Sequence, residues 1–306
     1  MNEDIRRGLL EKIADIHGVP QGAYNIRENS KLAGRHNTDE ITIETKEDNP
    51  GINIIVKAGT KGKSVHIPVI ITETGISEMV YNDFIIGEDC DVLIVAGCGI
   101  HNDGSEKSAH DGVHTFVIGE NSHVKYIEKH YGEGGGNGER IMNPAMTADL
   151  AKGASIEIET VQIGGIDSTN RKTTITAGED CEVVISERIM SDGRQNVVSD
   201  TEVIMNGKNS KARINSRSVA KGESTQLFYP KLTGNAECFG HVQCDSIIMD
   251  DAKIRSIPEI CANSVDARLI HEAAIGKIAG DQILKLMTLG LTAEEAEEKI
   301  LAGLLK

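Results

Sequence analysis

The nine residues GEDCDVLIV at Gly87–Val95 join a glycine-led turn to a strand with alternating apolar positions. A similar sequence motif, which we call the turn word, recurs four more times. These copies are GENSHVKYI at Gly119, KGASIEIET at Lys152, GEDCEVVIS at Gly178 and GKNSKARIN at Gly207. A supersecondary unit repeated at intervals of roughly 25 to 34 residues is typical of a solenoid. Because a turn glycine can adopt φ > 0 and the following strand buries one face, the repeat predicts a parallel β-helix.

An antiparallel sandwich is the competing architecture, since its short strands also alternate with turns. The repetition of the turn word itself favours the solenoid. Composition agrees, because aromatic residues make up only 3% of the chain and tryptophan is absent. A narrow interior filled by Val, Ile and Ala suits such a chain. We therefore expect a mainly β protein.

Helical periodicity marks both ends of the chain. Apolar residues recur at helical spacing between positions 5 and 16, and Thr292 with Glu295 has the pattern of a capping box. Two helices at the C-terminus either cap the open end of the solenoid or dock a partner, and the residues leave both interpretations open. The expected organisation is an N-terminal helical region over 1–38, a β-helix core over 39–272 and a C-terminal helical region over 273–306.

The charge balance excludes several classes of partner. The chain has 47 acidic and 32 basic residues, a formal net charge of −15. Nucleic acid and anionic membrane surfaces both require clustered Lys and Arg. The N-terminus has acids before its first apolar residues, unlike a signal peptide, and the longest apolar stretch, Val92–Ile100, is too short to span a bilayer. We expect a cytoplasmic protein that binds neither nucleic acid nor membrane.

The densest run of metal-capable side chains lies between positions 98 and 130. Thiolate and imidazole groups bind Zn²⁺ or iron, and a catalytic zinc would also need a base such as Asp111 or Glu106. The segment also has loop character, in which histidines are tolerated without a function. The candidate metal ligands are Cys98, His101, His110 and His114. GTKGKS at Gly59–Ser64 lacks the first glycine of a phosphate loop, so we assign no ATP site to this chain.

A second constellation lies near the C-terminus. Cys238 and Cys244 flank the segment FGHVQ, and the dipeptide His271-Glu272 closes the last strand-like run. Taken singly, each of these residues is ordinary in type. Adjacent residues of a strand point to opposite faces, so only one of His271 and Glu272 can face a given site. The set is informative about function because of the order in which its residues occur along the chain.

This ordered set resembles the SufB/SufD family of iron–sulfur cluster assembly proteins. The resemblance covers Arg217–Lys306 most strongly and is closest to the compact SufB-like proteins of archaea and some anaerobes. It implies a right-handed parallel β-helix with helices at both ends, in agreement with the turn words. It also implies that Cys244, in the sequence CDS, and Glu272 with His271, in the sequence HEA, serve cluster building. Cys238 is the further candidate ligand.

The resemblance further implies the function and the partners. The chain would be a scaffold subunit, not an enzyme, that builds a transient 4Fe-4S cluster and transfers it to apo iron–sulfur proteins. Its C-terminal helices, within Gly276–Lys306, would bind a SufC-like ABC ATPase that holds the ATPase activity. The resemblance also implies a homodimer joined through the β-helix. Because the chain has no CxxC motif, we expect Cys244 and Glu272 of each copy to supply four ligands together. ATP hydrolysis by the partner would then move the helices and expose the cysteines.

Three other functions remain open at this point. A polysaccharide hydrolase on the β-helix is disfavoured, because a sugar-binding cleft needs many aromatic side chains and the chain has only five Tyr, four Phe and no Trp. A zinc-dependent enzyme centred on Cys98–His130 is the better enzymatic alternative. A SufD-like accessory subunit without its own cluster is the third, although the CDS context of Cys244 favours the SufB-like role.

Overall fold

Strands that pair in parallel dominate the chain, and the computed structural model describes residues 2–305. The chain is mainly β, with 58% of residues in strands, and coils into a β-solenoid of about eight turns with three short helices at its termini. The predicted fold class is confirmed. Two sheets form the walls of the coil, and the strands alternate between them along the chain.

The first sheet has ten strands, ordered β2-β1-β5-β7-β9-β12-β14-β16-β18-β21. Their bounds are β1 Ala23–Glu28, β2 Lys31–His36, β5 Lys61–Ile71, β7 Asp91–His101, β9 His123–Glu133, β12 Ser155–Ile163, β14 Glu182–Ser191, β16 Ser210–Ala220, β18 Cys238–Ile248 and β21 Ala267–Gly276. The second sheet follows the order β19-β17-β15-β13-β10-β8-β6-β4-β3, with β11 beside β13 and β8 and with β20 beside β17. Its strands are β3 Ile41–Thr45, β4 Gly51–Val56, β6 Ser77–Ile86, β8 Ser108–Ile118, β10 Arg140–Met142, β11 Ala145–Leu150, β13 Ser168–Ala177, β15 Asn196–Met205, β17 Thr225–Gly234, β19 Lys253–Ser256 and β20 Glu259–Ala262.

In-register stacking of the turns of the coil builds the core. In β12, β14 and β16 of the first sheet, buried residues alternate with more exposed ones over most of the strand, so that like positions lie above one another. One interior column runs through consecutive partners, each at most 2% exposed: Val92, Val124, Ile156, Val183 and Ala212. Such columns give the narrow aliphatic interior that the composition predicts.

The turn words stack as predicted, but their glycines act differently from the expectation. Gly87, Gly119 and Gly207 do not have positive φ; in their words the left-handed conformation belongs to the third position, for example Asp89 (φ 53°) and Asn121 (φ 56°). Only the word at Lys152 has its glycine, Gly153, in that conformation (φ 70°). A Cβ on Gly119 would lie 2.7 Å from the backbone of Gly87, and one on Gly207 would lie 2.0 Å from the backbone of Glu179. Glycine is therefore required by the close stacking of successive turns.

The N-terminal region contains more than a helix. Helix α1, Asn2–Ala14, lies on the outer face of the first sheet, where Leu9 and Ile13 pack over two glycines of β7, Gly97 and Gly99. Strands β1 and β2 then form an antiparallel hairpin inside the range expected to be helical, and β1 continues the sheet by pairing in parallel with β5. The hairpin finishes the N-terminal end of the coil.

The C-terminal end is open by comparison. Strand β21 is the last strand of the first sheet and runs to Gly276, beyond the boundary predicted at position 272. Helices α2, Gly280–Met287, and α3, Ala293–Leu304, follow it. The predicted capping box is confirmed, because the Thr292 side chain accepts from the Glu295 N–H at 3.1 Å and Glu295 accepts from the Thr292 N–H at 2.8 Å. Among residues 2–305, the helices are too short or too polar to span a bilayer.

Candidate functional site

Cys244 and His271 meet inside the coil, one strand away from its open end. Cys244 lies on an inward position of β18 and is 2% exposed. Its Sγ is 4.0 Å from Nε2 of His271, on the neighbouring strand β21, and 3.6 Å from the hydroxyl of Ser256. A thiol and an imidazole therefore point at one another beneath the final strand.

Glu272 lies on the other face of the same strand. It is opposite Gln243 in the ladder between β18 and β21, and its carboxylate is 3.5 Å from Nε2 of His241 on the outer surface. Its side chain is 66% exposed. The predicted split of His271 and Glu272 between two faces is confirmed. Within one chain, Cys244 and Glu272 are therefore separated by the sheet.

Cys238 is on the same strand and face as Cys244 but does not share its site. The two residues are six positions apart, which places them about 20 Å apart along an extended strand. Cys238 instead packs near the turn, where a Cβ on Gly234 would lie 2.8 Å from its Sγ. The structure does not bring Cys238 to the Cys244–His271 pair.

The electrostatic environment keeps the Cys244–His271 pair neutral. Burial raises the pKa of Cys244 to about 11. Burial also lowers the pKa of His271, and the neighbouring His241 adds to that effect. At neutral pH the thiol therefore keeps its proton, and it is a poor nucleophile and metal ligand until it becomes more exposed to water.

The edge of β21 beyond this pair is uncovered. In the described chain, β21 pairs with β18 on one side only, and it is the last strand in the order of the first sheet. Large apolar side chains are exposed near this edge, with Ile270 44% and Ile275 40% exposed on β21 and Ile260 38% exposed on β20. An unpaired strand edge with apolar neighbours is a template for another chain.

A buried polar network occupies the interior towards the Cys244–His271 pair, and the sequence analysis missed it. Arg171 bonds Glu128 and lies 3.8 Å from Glu187, and all three residues are at most 6% exposed. Glu187 accepts hydrogen bonds from Ser199 at 2.8 Å and from Ser216 at 3.3 Å. Ser216 is the ladder partner of Cys244.

Strand alternation was the signal that would have revealed this network. In VVISERI the inward positions read Val183, Ile185, Glu187 and Ile189, so a carboxylate occurs where the pattern demands an apolar residue. Burial alone would raise the pKa of Glu128, but Arg171 and His130 outweigh that effect and hold it well below its ordinary value. Burial raises the pKa of Glu187 in spite of Arg171.

Three of the four residues proposed for a zinc site, Cys98, His110 and His114, line one small cavity, but they do not form a metal site, and His101 lies elsewhere. Cys98 is buried in an apolar cluster, and His101 lies towards the surface, 2.9 Å from Asp103. His110 pairs with Glu78 at 3.1 Å, whereas His114 bonds the Tyr126 hydroxyl at 2.8 Å. Across residues 2–305, the structure forms no group of three or more His, Cys, Asp or Glu side chains arranged to hold a metal ion. A single copy of the chain thus offers no preformed metal site among these residues.

We expect His114 to make the protein sensitive to acid. Burial lowers the pKa of this histidine to about 4 from its ordinary value of 6.5. The folded chain therefore binds fewer protons than the unfolded chain between these values, and stability falls as the pH falls through this window, by roughly 3 kcal/mol from this group. Unfolding titrations at several pH values should show a smaller loss in His114→Gln than in the wild type. Equal losses in both proteins would contradict the assignment.

Comparison with known proteins assigns the family. Residues 71–304 match the family described as SUF system FeS cluster assembly, SufBD core domain. An iron–sulfur cluster assembly SufBD family protein of Methanocaldococcus jannaschii is 31% identical over 296 residues, which cover 95% of this chain and 92% of that protein. Another, from Methanothermobacter thermautotrophicus strain Winter, is 29% identical over 245 residues, covering 78% of this chain and 57% of that protein.

A third relative, the SufBD family protein of Archaeoglobus fulgidus, is 25% identical over 277 residues, covering 89% of this chain and 73% of that protein. The family match extends over both sheets and includes the Cys244–His271 pair and both C-terminal helices. Fold and sequence lead to the same assignment. The chain belongs to the SufBD family of the SUF system, whose members take part in iron–sulfur cluster assembly.

Proposed function

We propose that this protein is the scaffold subunit on which a SUF-type complex builds a transient 4Fe-4S cluster. The observation that carries the proposal is the meeting of Cys244 and His271 at 4.0 Å directly beneath the uncovered edge of β21. The cluster is the cargo of this protein, and apo iron–sulfur proteins are its recipients. Imidazole and carboxylate bind iron less tightly than thiolate does, which suits a site that must release its cluster.

Two copies supply the ligands that one copy lacks. A two-fold dimer that pairs the β21 edges would place two Cys244–His271 pairs and two Glu272 carboxylates around one seam. The exposed Ile270 and Ile275 would be covered by the same contact. Cys244 and Glu272 lie on opposite faces of the sheet within one chain, so the proposal requires the seam to rearrange when Glu272 binds the cluster.

The buried thiol requires a step that opens the site. With its pKa raised to about 11, Cys244 is protonated in the closed structure described above. Helix α2 begins four residues after the end of β21, so a force on the helix reaches the site directly. The residues on and after α2 include exposed apolar side chains, with Leu284 62% and Leu289 75% exposed. We propose that a SufC-like ABC ATPase binds here and that its ATP cycle uncovers Cys244.

Labelling of Cys244 by a maleimide tests this coupling. In a Cys261→Ser background, we expect slow labelling of the protein alone and labelling at least about tenfold faster with the ATPase and ATP, because the thiol is then exposed. The double variant Leu284→Glu/Leu289→Glu should abolish the acceleration, since charges at these exposed positions disrupt an apolar contact without burying anything in the solenoid. The rate is measured by mass spectrometry of the quenched protein.

Val19→Glu is the matched control, because Val19 is 79% exposed at the other end of the chain. This variant should keep the full ATP-dependent acceleration. Acceleration that survives in the Leu284→Glu/Leu289→Glu variant would remove the helices from the proposed mechanism. Fast labelling of Cys244 without the ATPase would show that no opening step is needed.

A further inference from the structure

A polar groove with three arginines lies on the outer face of the first sheet. It has a volume of about 480 Å³ and is lined mainly by β14, β16 and β18. Its floor is one ladder row made of Ser186, Asn215 and Gln243. Arg213 lies on one side of this row, and Arg188 with Arg217 lies on the other. We call this the arginine groove.

The charge of the arginine groove is opposite to that of the chain. The protein as a whole carries 47 acidic and 32 basic residues. Arg188 is 3.9 Å from Glu159, whereas Arg213 and Arg217 have no salt-bridge partner in the part of the chain that the structure describes. A guanidinium group has five N–H donors and no acceptor, so these two side chains retain donors for a ligand.

The arrangement of the arginines is unfavourable without a ligand. Arg188 and Arg217 are direct ladder partners on neighbouring strands, and like charges in such positions repel each other. Asp245, the next residue across the sheet from Arg217, already accepts a hydrogen bond from Gln243 at 2.8 Å. An anion between the rows would relieve the repulsion and use the planar donor forks of the guanidinium groups.

We propose that the arginine groove binds a small multivalent oxyanion, either a phosphate or a carboxylate compound. The positions of Arg213 and Arg217 are about 13 Å apart along β16, so their long side chains can close on one ligand from both ends. Asn215, Ser186 and Gln243 supply hydrogen bonds to its middle. The lining is polar throughout, which excludes a largely apolar ligand.

The arginine groove also borders Glu272. Gln243 is the ladder partner of Glu272, and His241, the ladder partner of Arg213, is 3.5 Å from the Glu272 carboxylate. An anion held by Arg213 would compete with Glu272 for the His241 imidazole and so free the carboxylate. This coupling rests on the proposed role of Glu272 in holding iron, but anion binding itself does not.

Calorimetric titration of the full chain with pyrophosphate, and separately with citrate, tests the proposal at about 0.1 M salt, where diffuse attraction is screened. The wild type should bind at one saturable site, and Arg213→Gln/Arg217→Gln should bind at least about tenfold more weakly. The control Arg7→Gln/Arg194→Gln removes the same charge from exposed positions, with side chains 68% and 88% exposed, and should bind within about twofold of the wild type. The tighter of the two anions identifies the ligand class.

Equal weakening in both double variants would overturn the proposal, because it would show diffuse charge attraction. The absence of saturable binding by either anion would also overturn it. In that case, binding of a hexaglutamate peptide would assign the surface to an acidic protein segment. These titrations need neither iron nor sulfide, so their failure would leave the scaffold function untouched. Loss of cluster assembly with intact anion binding would contradict the scaffold function and leave the anion site standing.

Discussion

Cys244→Ser is expected to bind at least roughly tenfold less iron and sulfide than the wild type after anaerobic reconstitution. Thiolates are the ligands that hold iron–sulfur clusters most firmly, and Cys244 is the one thiol of the proposed site. The hydroxyl is smaller and keeps a polar contact to Ser256, so the fold should tolerate the change. Mössbauer spectra of samples reconstituted with enriched iron should lose the signal of a thiolate-bound cluster.

Cys238→Ser is the matched control for this prediction. Cys238 and Cys244 share a strand and an inward face, and they are 5% and 2% exposed. Cys238 lies about 20 Å away along the strand, so its substitution should leave the cluster signal intact. A normal cluster in Cys244→Ser would refute the proposed role of Cys244 as a cluster ligand. Failure of the wild type itself to hold a cluster would favour an accessory SufD-like subunit without its own cluster.

Arg171→Met is expected to lower the free energy of unfolding by about 3–5 kcal/mol. Arg171 is the partner that Glu128 and Glu187 share. Its loss leaves Glu128 with His130 as its charged neighbour and Glu187 with hydroxyl donors alone. Methionine is flexible and fills most of the vacated space, so the loss of stability reflects the missing charge more than a packing defect. Urea unfolding followed by circular dichroism measures the effect.

Two further variants show whether charge is the cause. Arg194→Met removes an arginine that is 88% exposed and should change stability by less than about 0.5 kcal/mol. The triple variant Arg171→Met/Glu128→Gln/Glu187→Gln should recover part of the lost stability, because neutral amides cost less to bury. A loss below about 1 kcal/mol in Arg171→Met would mean that the network is not needed for the fold.

Much of the fold could be predicted because a solenoid repeats its local rules. The turn words at Gly87 and Gly119 indicated the stacked turns, and strand alternation indicated the single buried face of each strand. The β1–β2 hairpin could not be predicted in the same way, because it occurs once and does not share the turn word. The role of the glycines could not be predicted from one copy of the turn word either, because the close stacking brings together residues about thirty positions apart.

The candidate site was predictable in its members but not in its geometry. Alternation correctly separated His271 from Glu272, yet it did not show that His271 would face Cys244. That contact depends on the register between β18 and β21, which are separated in sequence by β19, β20 and their turns. The histidines of β8 show the opposite case: alternation places His110 and His114 on the same inward face, but hydrogen bonds direct His110 to Glu78 and His114 to Tyr126.

Native mass spectrometry of the reconstituted protein, kept anaerobic throughout, measures directly whether the cluster forms between two copies. We expect a dimer that carries one cluster for every two chains. We also expect that Ile270→Lys/Ile275→Lys, which places charges at the exposed edge of β21, yields a folded monomer without a cluster. A monomer that carries a cluster as stable as that of the wild type would contradict assembly at a seam between two copies.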